Sequence, residues 1–289
     1  ARLFEAELHC RRALEINPSY VDAHLQLGGV LKNMRRLAEA EAQYRKALDL
    51  DPASAVGHNQ LGLLLLEQDR SADAEAALRR AVAANPALGY PFANLGASLS
   101  AQGRQAEAEA SFRRAVQIQP GEANSHSALL FSLTHGQTLD ADAVFAEHRR
   151  FGERFETPLR ASWRPHDRSR EPERPLQIGF VSGDLYNHAV ASFLEPVIEH
   201  LATAPSLVLH AYSTRQAAED HVSQRLRGHM RHWDTVGGVG DAELAEKIRA
   251  DGIDILIDLS GHTADNRLTV FARRPAPVQV SWMGYPGTT

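Results

Sequence analysis

The 289-residue chain is 43% apolar and 23% charged, ordinary proportions for a soluble protein with room for about two domains. A formal charge of −5 and a pI near 6.3 leave no basic footprint, which argues against nucleic acid as a partner. The single cysteine, Cys10, excludes an internal disulfide framework and fits a reducing, cytoplasmic setting, and no apolar run approaches the roughly 18 residues of a membrane span.

Four prolines, Pro18, Pro52, Pro86 and Pro120, follow one another at a constant step of 34 residues. Ala13, Ala47, Ala81 and Ala115 keep that step, as do the pairs Leu27-Gly28, Leu61-Gly62 and Leu95-Gly96. A fixed period of this length marks a solenoid of helix pairs, here of the tetratricopeptide type, over residues 1–120. Each proline forbids continuation of the preceding helix. Small residues in register let helices approach, with Tyr44, Leu78 and Phe112 filling the space; Cys10 takes the same slot and reads as a small buried hydrophobe. The first residues already lie inside a unit, so a natural N-terminus upstream is expected. A further unit starts with His126, Leu129 and Leu133 and loses the pattern, so residues 121–155 are expected to be degenerate capping helices.

His24, His58 and His126 share one slot with Phe92, which points to packing rather than ligation. Before each Leu-Gly stands an amide: Gln26, Gln60 and Asn94. A column of carboxamides can pair both backbone groups of an extended peptide, so these three are candidates for a peptide groove; a solvent-facing polar stripe is the alternative.

Residues 156–175 alternate Pro158, Pro165, Pro172 and Pro175 with Arg160, Arg164, Arg168, Arg170 and Arg174, the pattern of a solvated linker. From Leu176 the period changes. Strands are expected at Leu176–Val181, Leu207–Tyr212, His232–Val236, Ile253–Leu259 and Val278–Trp282. Helices are expected at Ala189–Leu201, Asp220–Arg231, Asp241–Ala250 and near Asn266–Arg273. Alternation of this kind gives a parallel, doubly wound, Rossmann-like domain over 176–289, with strand order 3-2-1-4-5.

Ligands of such sheets sit beyond the carboxyl ends of the strands where the order reverses. Three loops reach that point: 182–188 after the first strand, 260–267 after the fourth and 284–289 after the fifth. They carry the candidate substrate-binding residues Asp184, Asn187, His262, Thr263, Gly284, Tyr285, Pro286, Gly287 and Thr288, with His188 as the candidate catalytic group. A histidine with an ordinary pKa of about 6.5 can take a hydroxyl proton or orient an acceptor by hydrogen bonding; capping of a helix start, with the ring against Tyr186, is the competing account. The first loop has no glycine-rich or lysine-bearing phosphate fingerprint. His229 and His232 lack a third ligand of clear spacing, so no metal site is expected.

The strings Ile178-Gly-Phe-Val-Ser-Gly-Asp184 with Asn187-His188, Asp251-Gly-Ile-Asp-Ile-Leu-Ile-Asp-Leu-Ser-Gly261 and Arg274-Pro-Ala-Pro-Val-Gln-Val-Ser-Trp-Met-Gly-Tyr-Pro-Gly-Thr288 resemble the catalytic domain of O-linked N-acetylglucosamine transferases. The combination with tetratricopeptide repeats is specific, and 129–136 resembles the region bridging the two parts. Bacterial members, which are similar to the plant SPINDLY O-fucosyltransferases, look nearest. The resemblance implies two facing Rossmann-like halves and inverting, metal-independent transfer from UDP-GlcNAc, with no further cofactor, to serine or threonine. Acceptor proteins would lie along the repeats. His188 would match the disputed proton acceptor, and Gly284 and Pro286 would match loop residues near the sugar. The donor-binding half would lie beyond Thr289. Asp254 stands where relatives carry histidine, so no role passes to it. GDP-fucose as donor, or a non-catalytic repeat scaffold, are the alternatives.

Overall fold

The computed structural model describes residues 2–136, 140–167, 169, 171–215 and 219–289; Arg168 and Arg170 of the expected linker lie outside them. Two compact units, Ala1–Thr138 and Leu139–Thr289, make up the chain.

The first unit is helical: α1 (Arg2–Ile16), α2 (Val21–Asn33), α3 (Leu37–Leu50), α4 (Ala55–Glu67), α5 (Ser71–Ala84), α6 (Gly89–Ala101), α7 (Gln105–Ile118) and α8 (Ala123–His135). The turns repeat with the sequence. Asn17, Asp51 and Asn85, each before its proline, accept the backbone N–H two residues on at 3.1 Å, an Asx turn that replaces the helical hydrogen bonds the proline forbids. The shared histidine slot serves the same corner: Nε2 of His24, His58 and His126 lies 3.0 Å from the carbonyl oxygens of Pro18, Pro52 and Pro120 respectively.

The Leu-Gly glycines meet the large residues directly. A Cβ on Gly28, Gly62 or Gly96 would lie 2.5 Å from Tyr44, 2.6 Å from Leu78 or 2.8 Å from Phe112. The period also hides a charge ladder. Arg36, Arg70 and Arg104 open the second helices and each reaches a carboxylate of the preceding unit, Glu7 at 2.8 Å, Glu41 at 3.0 Å and Glu75 at 2.8 Å. Each also holds the carboxylate three residues on, Glu39, Asp73 or Glu107. Such half-exposed pairs contribute about 0.2–1 kcal/mol apiece, so the ladder sets register more than stability. Cys10 departs from expectation: it is only half-buried.

The second unit opens with α9 (Ala141–Phe155), so the expected capping segment 121–155 is divided, α8 to one unit and α9 to the other. A 3-10 turn, Thr157–Ser162, follows. Then come β1 (Leu176–Ser182), α10 (Ala189–Leu201), β2 (Leu207–Ser213), α11 (His221–His229), β3 (His232–Thr235), α12 (Asp241–Ala250), β4 (Ile255–Asp258), α13 (Leu268–Phe271) and β5 (Val278–Ser281). All pairings are parallel and the order is β3-β2-β1-β4-β5, the expected doubly wound sheet. Alternate residues of β1 feed opposite cores: Ile178 and Phe180 pack with Leu194, Ile198 and Leu226, whereas Val181 packs with Tyr212, Leu244 and Ile248. At the sheet edge, β5 exposes Val278 and Val280, with Trp282 beyond it.

The described residues of 156–175 are mostly exposed, as a linker would be, yet several of them are tied down. Arg160 pairs with Glu156 and Arg164 with Glu246, while the Trp163 indole N–H donates to the Ala272 carbonyl at 2.9 Å. Arg174 grips buried Asp254 through two 2.7 Å bonds, and the Gln177 N–H donates to the same carboxylate at 2.9 Å. Asp254 thus sits at the amino end of β4, opposite the strand-end loops, in a structural role.

Candidate active site at the strand ends

The chemistry-bearing loops converge where β1 and β4 lie side by side. Ser182 and Ser260 bring their hydroxyl oxygens to 3.4 Å across the switch point, and the Gly183 N–H donates to Ser260 Oγ at 3.4 Å. A Cβ on Gly183 would lie 2.8 Å from Asp265 Cβ, and Thr214 Oγ1 donates to the Asp265 carbonyl at 2.7 Å. The loops after β4 and β5 are closer still. At Gly284 a Cβ would fall 1.6 Å from the Leu259 carbonyl oxygen, and at Gly261, whose φ is +55°, one would fall 2.3 Å from Tyr285 Cβ. Only glycine permits this approach.

Asp258, which the site candidates omitted, organises two of these loops. Its buried carboxylate accepts from Ser260 N at 3.0 Å, Gly261 N at 2.9 Å and Ser281 Oγ at 2.6 Å. Burial nevertheless lifts its pKa above the ordinary carboxylate range. The pattern of a charged residue closing an otherwise apolar strand was available in the sequence as a signal. His148 was not: nothing about one histidine in a helix of arginines and glutamates marks it out.

Among the β1-loop candidates, Asp184 is mostly buried and its carboxyl is raised, chiefly by burial, with His188 opposing and Asp265 assisting. The Asn187 side chain is exposed while its backbone N–H donates to Asp220, the N-cap of α11, at 2.8 Å. His188 is the N-cap of α10: its Nδ1 accepts the Val190 N–H at 3.3 Å, and Asp184 Oδ1 lies 3.8 Å from the same nitrogen. The ring lies 5.5 Å from Tyr186, whose other neighbour is the Arg215 guanidinium at 3.8 Å from the ring centre. An accepted N–H at Nδ1 puts the neutral imidazole's proton on Nε2. In this setting the half-exposed ring offers a donor rather than a free base. Its partners belong to its own loop and helix start. The 284–287 turn packs instead on Leu259, Gly261 and His148.

The β4-loop candidates face inward. His262 is 1% exposed, packed edge-on to Phe151 at 4.6 Å and to His148 and Tyr285 at 5.3 Å. Burial, helped by His148, pushes its pKa down to about 3. The Thr263 hydroxyl donates to the Ser260 carbonyl at 2.9 Å. In the β5 loop Tyr285 is half-buried with its oxygen 2.7 Å from His148 Nε2, while Pro286, Gly287 and Thr288 are exposed. His229 approaches Glu199 at 4.0 Å and His232 stacks on His210 at 4.4 Å, so the two histidines keep separate partners. In the repeats, Gln26 is exposed, Gln60 half-buried, and Asn94 Nδ2 donates to buried Asn59 at 2.8 Å.

Tetratricopeptide helices followed by a Rossmann-like unit, with loops gathered at the sheet's switch point, define the class of repeat-bearing glycosyltransferases. Residues 119–289 match the family model of glycosyl transferase family 41, and residues 21–54 and 59–123 match tetratricopeptide models. The chain belongs to glycosyl transferase family 41. It is 36% identical over 176 residues to an Arabidopsis thaliana protein named probable UDP-N-acetylglucosamine–peptide N-acetylglucosaminyltransferase SPINDLY, a match covering 59% of this chain and 19% of that protein. A Caenorhabditis elegans UDP-N-acetylglucosamine–peptide N-acetylglucosaminyltransferase is 34% identical over 116 residues, 39% of this chain and 10% of that one. The solved structure of a Thermobaculum terrenum O-GlcNAc transferase mutant superposes with a TM-score of 0.82 at 34% identity, covering 92% of this chain and 50% of that chain. The chain therefore spans about a fifth of the SPINDLY relative and half of the solved one.

Proposed function

We propose that this chain is the repeat region and first catalytic half of a protein O-glycosyltransferase. It moves N-acetylglucosamine from UDP-GlcNAc to serine and threonine hydroxyls, with inversion and without a metal or other cofactor. The observation that carries the reading is the gathering of the β1, β4 and β5 loops at one switch point in a family whose relatives are named for this transfer. The acceptor oxygen attacks the anomeric carbon, the bond to the diphosphate breaks, and UDP leaves with the electron pair. The hydroxyl proton passes to water or to a base. Because Nδ1 of His188 is engaged, its Nε2–H is suited to orient the acceptor or the sugar, with water relaying the proton. A base role for His188 requires that it first give up the Val190 cap.

The second half of the catalytic domain supplies the nucleotide site in this reading. The repeats hold acceptor protein, with exposed Gln26 and half-buried Gln60 offering carboxamides to an extended backbone. A cytoplasmic setting accords with one cysteine and with the absence, among the described residues, of a helix long and apolar enough to cross a membrane.

The second reading is transfer of fucose from GDP-fucose, the alternative donor that the sequence resemblance offers. The experiment is to present labelled UDP-GlcNAc and GDP-fucose, with an acceptor protein, to the enzyme containing both catalytic halves and to the 289 residues alone. Label from UDP-GlcNAc with the longer protein, and none with the shorter, is expected. Transfer of fucose alone replaces the donor, absence of both leaves a repeat scaffold, and turnover by the 289 residues contradicts the divided site.

A further inference from the structure

We infer that His148, on α9, is a positioning residue for the 284–288 loop, which it holds through the hydroxyl of Tyr285; the inference rests on reading that loop as substrate-facing.

The ring of His148 is 3% exposed, on a helix whose other faces carry arginine and glutamate. Nδ1 lies 2.7 Å from the carbonyl oxygen of Val144, which can only accept, so Nδ1 bears a proton. In the neutral ring Nε2 then carries the lone pair, and it accepts the Tyr285 O–H at 2.7 Å. A backbone carbonyl thus fixes the tautomer, and the tautomer fixes the direction of the tyrosine hydrogen bond. The rest of the β5 loop shows why one bond matters. Its start is immobilised by backbone packing: Met283 takes a left-handed φ of 72°, the Gly284 N–H donates to the Trp282 carbonyl at 2.9 Å, and Gly284 abuts Leu259 with no room for a Cβ. Its end, Pro286 to Thr288, is exposed. Tyr285 is the last anchored side chain before those residues, and beyond Tyr285 itself, His148 Nε2 is the nearest group to the space a Cβ on Gly287 would take, at 3.5 Å. A displacement of about 1 Å in a substrate-bearing loop can cost on the order of a hundredfold in rate.

Loss of the hydrogen bond is separable from loss of packing, because Tyr285→Phe keeps the ring against Gly261 and His262. His148→Phe keeps a ring on α9 without an acceptor, and His148→Gln restores an acceptor at the reach of Nε2. In the 289-residue chain, followed by hydrogen exchange, the Gly284 amide, which donates to the Trp282 carbonyl, is expected to exchange about fivefold to tenfold faster in His148→Phe and Tyr285→Phe. The double variant should be no faster than either, His148→Gln close to wild type, and β1 and β4 unchanged. In the enzyme with both catalytic halves, the two single variants lower kcat by a similar factor and His148→Gln recovers it. Unchanged loop exchange in both single variants, or additive effects in the double variant, overturns the anchor. Faster exchange with undiminished transfer overturns the positioning role and, with it, the substrate-facing reading of the loop, while leaving the hydrogen bond intact. If His148→Phe fails to fold, Tyr285→Phe with His148→Gln carries the same comparison.

Discussion

Acid should destabilise the second unit through one residue more than any other, and His262 is that residue. Its folded pKa, pushed down to about 3 by burial and by His148, lies well below the ordinary value of about 6.5. A depressed histidine adds stability that is complete above the unfolded pKa and is lost as pH falls toward the folded one, so the window runs from about pH 6.5 to about 3. Between pH 7 and pH 5 the unfolded ring takes up a proton that the folded ring refuses, worth about 2 kcal/mol; the whole window is worth roughly 4–5 kcal/mol. All three tryptophans, Trp163, Trp233 and Trp282, belong to the second unit, so urea unfolding followed by tryptophan fluorescence reports it selectively. His262→Phe keeps an apolar ring among Phe151, His148 and Tyr285 but cannot titrate. His210, lowered to about 4 by burial, slopes the same way but is present in both proteins. The wild-type unfolding free energy should therefore fall by about 2 kcal/mol more than the variant's between pH 7 and pH 5. Parallel pH profiles would refute the reasoning.

Three other outcomes test separate links. Gly62→Ala forces a Cβ to 2.6 Å from Leu78 Cγ, and should cost about 1–3 kcal/mol in the repeat unit, read by circular dichroism at helical wavelengths. Asp254→Ala strands the Arg174 guanidinium and the Gln177 N–H; a loss of about 3–5 kcal/mol in tryptophan-monitored unfolding is expected, largely recovered when Arg174→Met is added. Changing Gln26, Gln60 and Asn94 together to Ala should weaken acceptor-protein binding about tenfold by calorimetry, and unchanged affinity would remove the amide column from recognition.

The repeats were legible because one physical constraint, a helix pair that buries nothing alone, recurs in register and exposes itself as Pro18, Pro52, Pro86 and Pro120. The parallel sheet followed from the alternation of strands and helices, and the order 3-2-1-4-5, taken as a common doubly wound one, is the order found. Three features were hidden for definable reasons. The grip of Arg174 on Asp254 joins residues 80 apart, and a proline-arginine run looks the same whether solvated or strapped. Membership of α9 in the second unit depends on Phe151 and His148 meeting a loop more than a hundred residues later, which no local period encodes. The inward turn of His262 and of the Thr263 hydroxyl depends on loop conformation, including the left-handed residues Gly261 and Asp265. Both accounts of His188 had a basis in the sequence; its N-cap bond to Val190 and its partial exposure coexist in the fold.

The most direct measurement is the turnover of His188→Ala, made in the enzyme that contains both catalytic halves, with acceptor binding to the repeats measured alongside. A strand-end imidazole that orients the reacting oxygen predicts a fall in kcat of about a hundredfold, with acceptor affinity for the repeats unchanged. Turnover equal to that of the parent enzyme would contradict a sugar-transfer site built on these loops around His188.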